Sequence, residues 1–128
     1  MTPSDLNNLS HSLIKEALAV GADSADAIAI QGTSVSVDVR NGALEQAERS
    51  EGIDFGLRVF VGQKQASVSS SDTSIDIIKE MSIRAVAMAN EAPEDPYAGL
   101  ADATDLITAW DIEALQLFDN THEPTAKD

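Results

Sequence analysis

His122-Glu123, followed by Pro124, Thr125 and Ala126, is half of the His-Glu-x-x-His signature in which two histidines of one helix hold zinc and the glutamate acts as base. The second histidine is missing, and proline spoils the helix that would put both ligands on one face, so the pattern carries no metal chemistry. His11 stands among polar neighbours with no second His or Cys at ligand spacing, which makes it a surface histidine. The absence of cysteine removes disulfides and thiolate metal sites and permits a cytoplasmic setting. Glu45 and Glu48 are a poor acid and base pair, because an odd spacing puts them on opposite faces of a strand. The sequence therefore assigns no catalytic, metal-ligating or cofactor-binding residue and leaves substrate- and partner-binding positions unknown.

The elements that would carry any site are easier to read. Pro3 suits the first turn of a helix capped by Thr2 or Ser4, and Leu6, Leu9, Leu13, Ala17 and Val20 recur at steps of three or four, which predicts an amphipathic helix over about 3–20 ended by Gly21. Residues 27–31 read as a short strand with Ile28 and Ile30 facing one way, and Gly32 as a turn into a second strand carrying Val35, Val37 and Val39. Asn41-Gly42 then suits a type I′ hairpin turn, since both residues tolerate positive φ. Residues 43–50 form the weakest strand, rich in Glu and Arg, and belong at or near a sheet edge, where charge discourages unwanted pairing.

The alternation of Ile53, Phe55, Leu57, Val59 and Val61 with Asp54, Gly56, Arg58 and Phe60 is that of a strand with one buried face, and it should centre the core. Burial of such side chains stabilises by roughly 1.5–3 kcal/mol each before entropy. Gly52 and Gly56 are permissive points in it. After a turn at Gly62-Gln63-Lys64, residues 66–70 give a strand of small residues, tightly covered. Ser74, aided by Asp72 and Thr73, caps a second helix over about 74–91, with Ile77, Ile78, Met81, Ala85, Met88 and Ala89 as its buried stripe and Pro93 and Pro96 beyond its end. The fold class is α+β: an antiparallel sheet of four to five strands over about 27–71, covered by two helices, with an irregular acidic C-terminal segment.

At 128 residues and 43% hydrophobic content the chain suits one domain at 1–95, followed by an acidic connector at 96–128. A net charge of −14 repels phosphate backbones and anionic membranes, which argues against direct nucleic-acid or membrane binding. From Glu91 onward there are ten acids against Lys127 alone. Leu106, Ile107, Trp110, Leu115, Leu117 and Phe118 cluster there without a clear period, suited either to packing back on the sheet or to a surface outside this chain.

Several stretches, in order and spacing, resemble the N-terminal domain of the TldD/PmbA family, historically called modulators of DNA gyrase and understood as two-subunit metalloproteases. They are Arg40-Asn41-Gly42 with Glu45 downstream, Gly52, Gly56-Leu57-Arg58-Val59, Ala66-Ser67-Val68-Ser69-Ser70-Ser71-Asp72, and Glu94-Asp95-Pro96-Tyr97-Ala98-Gly99-Leu100-Ala101-Asp102. The serine-rich strand and the last stretch are more similar to the PmbA (TldE) branch. The resemblance implies that the chain is the N-terminal part of a longer, cytoplasmic PmbA-like subunit that pairs with a TldD-like subunit. The complex degrades or processes peptides and unfolded proteins. It also implies that the zinc, with its His-Glu-x-x-x-His helix, belongs to the TldD-like partner, and that this domain is structural or substrate-enclosing, with strand 43–50 a place for peptide to add. The alternative is a noncatalytic protein-binding regulatory module acting on a DNA gyrase or toxin–antitoxin system.

Overall fold

The structure, a computed structural model, describes residues 1–125 and 127–128. In chain order it has α1 (Pro3–Ala19), β1 (Ser24–Arg40), β2 (Ala43–Val61), β3 (Lys64–Ser70) and α2 (Ile75–Glu91), then a 3-10 turn at Ala103–Asp105 and the short α3 (Ile112–Leu115). The three strands form one antiparallel sheet in the order β1-β2-β3. The fold class is as the sequence predicts. The strand count is three, fewer than the expected four to five, because Gly32 and Gly52 interrupt nothing. Neither takes a positive φ, and each strand runs through its glycine as one extended element.

The turns that do form are those where glycine enters the left-handed region. Asn41 and Gly42 have φ of 51° and 77°, the two positive values of the expected type I′ hairpin. Gly62, at 58°, turns β2 into β3 with Val61 directly opposite Lys64.

The chain falls into two compact units, Met1–Thr33 with Glu51–Leu100, and Ser34–Ser50 with Ala101–Asp128. In the first unit both helices serve the same side of the sheet. The Thr2 side chain accepts from the Asp5 amide at 3.2 Å while the Asp5 carboxylate accepts from the Thr2 amide at 2.7 Å, a reciprocal box that starts α1. At its other end Ala22 N–H donates to Ala17 and Gly21 N–H to Leu18, satisfying the last carbonyls around the left-handed glycine. Leu9, Leu13 and Ala17 are thereby turned inward, and α1 packs on α2, which packs on β3.

The core is centred where the alternation put it, on Phe55, Leu57 and Val59, with Val61 at its margin. On β1 Ile28 and Ile30 share one face, as expected, and that face is exposed, while Ala25, Ala27 and Ala29 pack against the core. Alanine lets the helix layer approach closely, a constraint that hydrophobicity alone does not reveal. One expectation about facing is corrected: on α2, Met88 is exposed and Ser82 and Val86 are buried in its place. Ser82 is tolerated because its hydroxyl donates to the Ile78 carbonyl at 2.8 Å, which leaves no polar atom unsatisfied.

The second unit holds the type I′ end of the hairpin. Val35 and Val39 are exposed there and Val37 is half-buried, so the valine row is not part of the helix-covered core. Neither the 3-10 turn nor α3 buries a residue.

The start of α2 gives a pH dependence. The Asp72 carboxylate is held below the usual aspartate range, chiefly by the Ser74 backbone N–H, which donates to it at 2.9 Å. A carboxyl whose folded pKa is depressed adds stability above its unfolded value, about 3.9, and loses it as pH falls through the folded value. Thermal unfolding of wild type and Asp72→Ala should therefore show a gap at neutral pH that closes in acid. A gap unchanged below the carboxylate range would show that the bond does not depend on the charge.

Candidate functional site

The face of the sheet turned away from the helices carries a cross-strand polar constellation. The β2–β3 register sets Phe60 opposite Gln65, Arg58 opposite Ser67 and Gly56 opposite Ser69, and directly opposed residues share a face. Ser67 and Ser69 are accordingly exposed, not tightly covered as the small-residue strand suggested. Arg58 reaches across to Asp26 on β1, Nε donating to Oδ1 at 2.9 Å and Nη2 to Oδ2 in a two-pronged pair. Its guanidinium also stands 5.1 Å from the centroid of the Phe60 ring, which is buried. Hydrogen bonding to Asp26 raises the Arg58 pKa above the ordinary value, with coulombic attraction adding and partial desolvation opposing, so this cation stays charged at any physiological pH.

Gly56 makes the face concave. A methyl group added there would meet the Ile28 side chain at 3.5 Å and the Val68 carbonyl at 3.7 Å, ordinary contact distances, so the missing side chain leaves room. Around it lies an open hollow of about 420 Å³ bounded by Asp26, Ile28, Gly56, Arg58, Ser67 and Ser69. Its two charges neutralise each other and its remaining polar groups are serine hydroxyls. Neither serine has a histidine beside it, so the arrangement lacks the base that would activate a serine nucleophile.

Asp26 is the member that sequence reasoning missed. Arg58 was visible on the polar side of an alternating strand, but its partner lies 32 residues away on a different strand, and only the register brings them together.

A second feature is the length of β2. β3 pairs with it only from Phe55 to Val61, so among the described residues the backbone of 43–50 has no β3 partner on that side. The sequence reading of 43–50 as a separate edge strand is corrected in part: it is the N-terminal half of the middle strand, with the side away from β1 beyond the reach of β3.

The histidine positions do not converge on a metal. The His11 Nδ1 lies 2.8 Å from the Asn7 carbonyl on the exposed side of α1. His122 has Nε2 at 3.6 Å from the Asp128 carboxylate, and Glu123 accepts from Arg49 Nη1 at 2.7 Å. The last residue of that motif, Ala126, lies outside the described residues. Glu45 accepts from Arg40 at 3.2 Å, and both it and Glu48 are exposed. Among the described residues no three His, Cys, Asp or Glu side chains assemble as metal ligands, and no helix is long and apolar enough to cross a membrane.

Comparison with known proteins adds the following. Residues 25–89 match the family model of PmbA/TldA metallopeptidase domain 1. Metalloprotease PmbA of Escherichia coli O157:H7 is 31% identical over 97 residues, covering 76% of this chain and 21% of that protein. A metalloprotease PmbA homolog of Haemophilus influenzae is 32% identical over 95 residues, covering 74% and 21%. This chain thus spans about a fifth of the length of the curated relatives it matches. A crystal structure from Bacteroides thetaiotaomicron, described as a modulator of DNA gyrase, superposes with a TM-score of 0.78 at 14% identity, over 87% of this chain and 25% of that one, and so shares the fold.

Proposed function

The chain belongs to the PmbA/TldD metallopeptidase family, as its first domain, and from that premise we propose that it serves as the N-terminal domain of a PmbA-like subunit in a two-subunit cytoplasmic metalloprotease. The observation that carries this reading is the match of residues 25–89 to the family's first domain, supported by two PmbA relatives above 30% identity. In this reading the domain encloses and positions peptide, and cleavage takes place elsewhere in the assembly.

The residues described do not suit the zinc that the family implies. The two histidines belong to different compact units, and each lies against another partner, the Asn7 carbonyl or the Asp128 carboxylate. Zinc ligation needs at least three convergent N, O or S donors. We propose, as the family resemblance implies and not from that misfit, that a TldD-like partner holds the metal, and no step of this chain runs through it.

The contribution of this chain to peptide handling is main-chain hydrogen bonding. An extended segment can add alongside 43–50, where β3 does not reach, and such addition reads backbone more than side chain, as suits unfolded and varied substrates.

The experiment mixes the full subunit with a TldD-like partner and an unstructured peptide. Cleavage should need both proteins and be abolished by a chelator. Glu48→Pro, at a position whose N–H turns away from β1 because Arg40 and Ala43 close the two-residue hairpin, should raise KM for the peptide roughly tenfold, since one or two main-chain hydrogen bonds of about 1 kcal/mol each are lost. Assembly and circular dichroism should stay as in wild type. Cleavage by this chain alone would overturn the proposal, and stoichiometric binding of a folded protein without cleavage would favour a regulatory binding module.

A further inference from the structure

Three parts of the first unit that are far apart in sequence meet at the β2–β3 turn. Gly62 has φ of 58° and Gln63 does not take a positive value, the combination of a two-residue type II′ turn with glycine first. Val61 and Lys64 close it as an opposed pair, so the Gly62 N–H and the Gln63 carbonyl lie outside the ladder and need partners of their own. The fold supplies both. The Asp23 carboxylate, on the loop between α1 and β1, accepts from the Gly62 N–H at 2.7 Å, while the Asp23 N–H donates to the Phe60 carbonyl at 2.8 Å. Asp95, in the segment after α2, donates its N–H to the Gln63 carbonyl at 2.8 Å.

Lys64 adds a third tie. Its Nζ donates at 3.1 Å to the Asn90 carbonyl, one of those that the end of α2 leaves without a partner inside the helix. Beyond the turn, the Asp95 carboxylate accepts from the Tyr97 N–H at 2.9 Å and the Asp95 carbonyl from the Ala98 N–H at 3.0 Å, so Asp95 both grips the turn and reverses the chain. No residue of 92–98 is buried, and Tyr97 is 94% exposed, so hydrogen bonds rather than apolar packing hold this segment in place. With only Gly62 and Gln63 between the paired strands, turning the Gly62 N–H off Asp23 re-aims the Gln63 carbonyl that Asp95 uses.

We propose that the β2–β3 turn is a coupled latch, through which Asp23 at the end of α1 and Asp95 after α2 hold each other's hydrogen bonds in place. Segment 92–98 is thereby kept as an ordered part of the domain. Loosening of either grip is felt at the other, by the reciprocity that any coupling free energy obeys. The latch stands on contacts within the first unit and does not rest on the protease reading.

The test is amide hydrogen exchange, read by NMR on the 128-residue chain. Asp23→Ala should speed exchange at Gly62, which loses its acceptor directly, and also at Asp95 and Ala98, which bond to Gln63 and Asp95 instead. The expected rise at these two is about fivefold or more, the low end of coupling between sites. Asp95→Ala lies outside the core and keeps its own N–H, so it tests the same coupling from the other side and should speed exchange at Gly62. Asp23→Asn keeps an oxygen acceptor and should return all three amides toward wild-type rates. The amides of Phe55 and Leu57, on the core strand, report global opening and should stay unchanged in every variant. Unchanged rates at Asp95 and Ala98 in Asp23→Ala, or at Gly62 in Asp95→Ala, would show two independent grips and overturn the latch. A uniform rise that includes Phe55 and Leu57 would overturn it as well.

Discussion

Leu57→Ala should destabilise the chain by about 2–5 kcal/mol, while Arg58→Ala, one residue on, should cost about 1 kcal/mol or less. Leu57 is 1% exposed on the middle strand, opposite Val68, and its removal leaves a void that neither the sheet nor α2 can close without moving the other. Arg58 points the other way, and its side chain and that of Asp26 remain 42% and 45% exposed, so solvent screens the pair even though it is two-pronged. Denaturant unfolding with both variants reads the difference directly. Similar losses at the two positions would mean that the strand is out of the register described, because a slip of one residue exchanges the faces.

That contrast also marks how far the sequence could be read. The alternation from Ile53 to Val61 placed Phe55, Leu57 and Val59 inside correctly, because the strand lies between solvent on one face and helices on the other, the condition under which a period of two appears. The same alternation in Val35, Val37 and Val39 was misleading, since periodicity says that residues share a face and not that anything covers it. Ile28 and Ile30 share a face as the alternation says, but which face is covered was not legible, because the covered positions on β1 are alanines.

The candidate site was legible only in fragments. Arg58 and Gly56 stood in the stretch that carried the family resemblance, but the hollow they form needs Asp26 and Ile28 from another strand, and pairing register is a property of the folded sheet. The apolar residues between 106 and 118 were visible in the sequence without a period, and the structure supplies the missing fact that they are exposed.

The second large effect tests the helix layer. Ala85→Leu should destabilise by roughly 1–3 kcal/mol or more, whereas Met88→Leu, on the same helix, should change stability by less than about 0.5 kcal/mol. Ala85 and Ala89 are fully buried on α2, the helix that packs on both α1 and β3, and Ala17 is fully buried on α1. Alanines at these positions keep the layers close, and interiors packed to near-crystalline density have no room for three extra carbons. The leucine would push α1 outward, lifting Leu9 and Leu13 from the cluster they share with Phe55 and Val59. Met88 is 45% exposed, so leucine there exchanges one solvated side chain for another of similar volume. Thermal unfolding of the two variants separates the outcomes, because a helix whose buried stripe ran through Met88 would show a loss at both positions. A loss confined to Ala85 requires the face defined by Ile78, Met81, Ser82, Ala85, Val86 and Ala89, in which a serine occupies a core position that hydrophobic spacing alone would not have assigned to it.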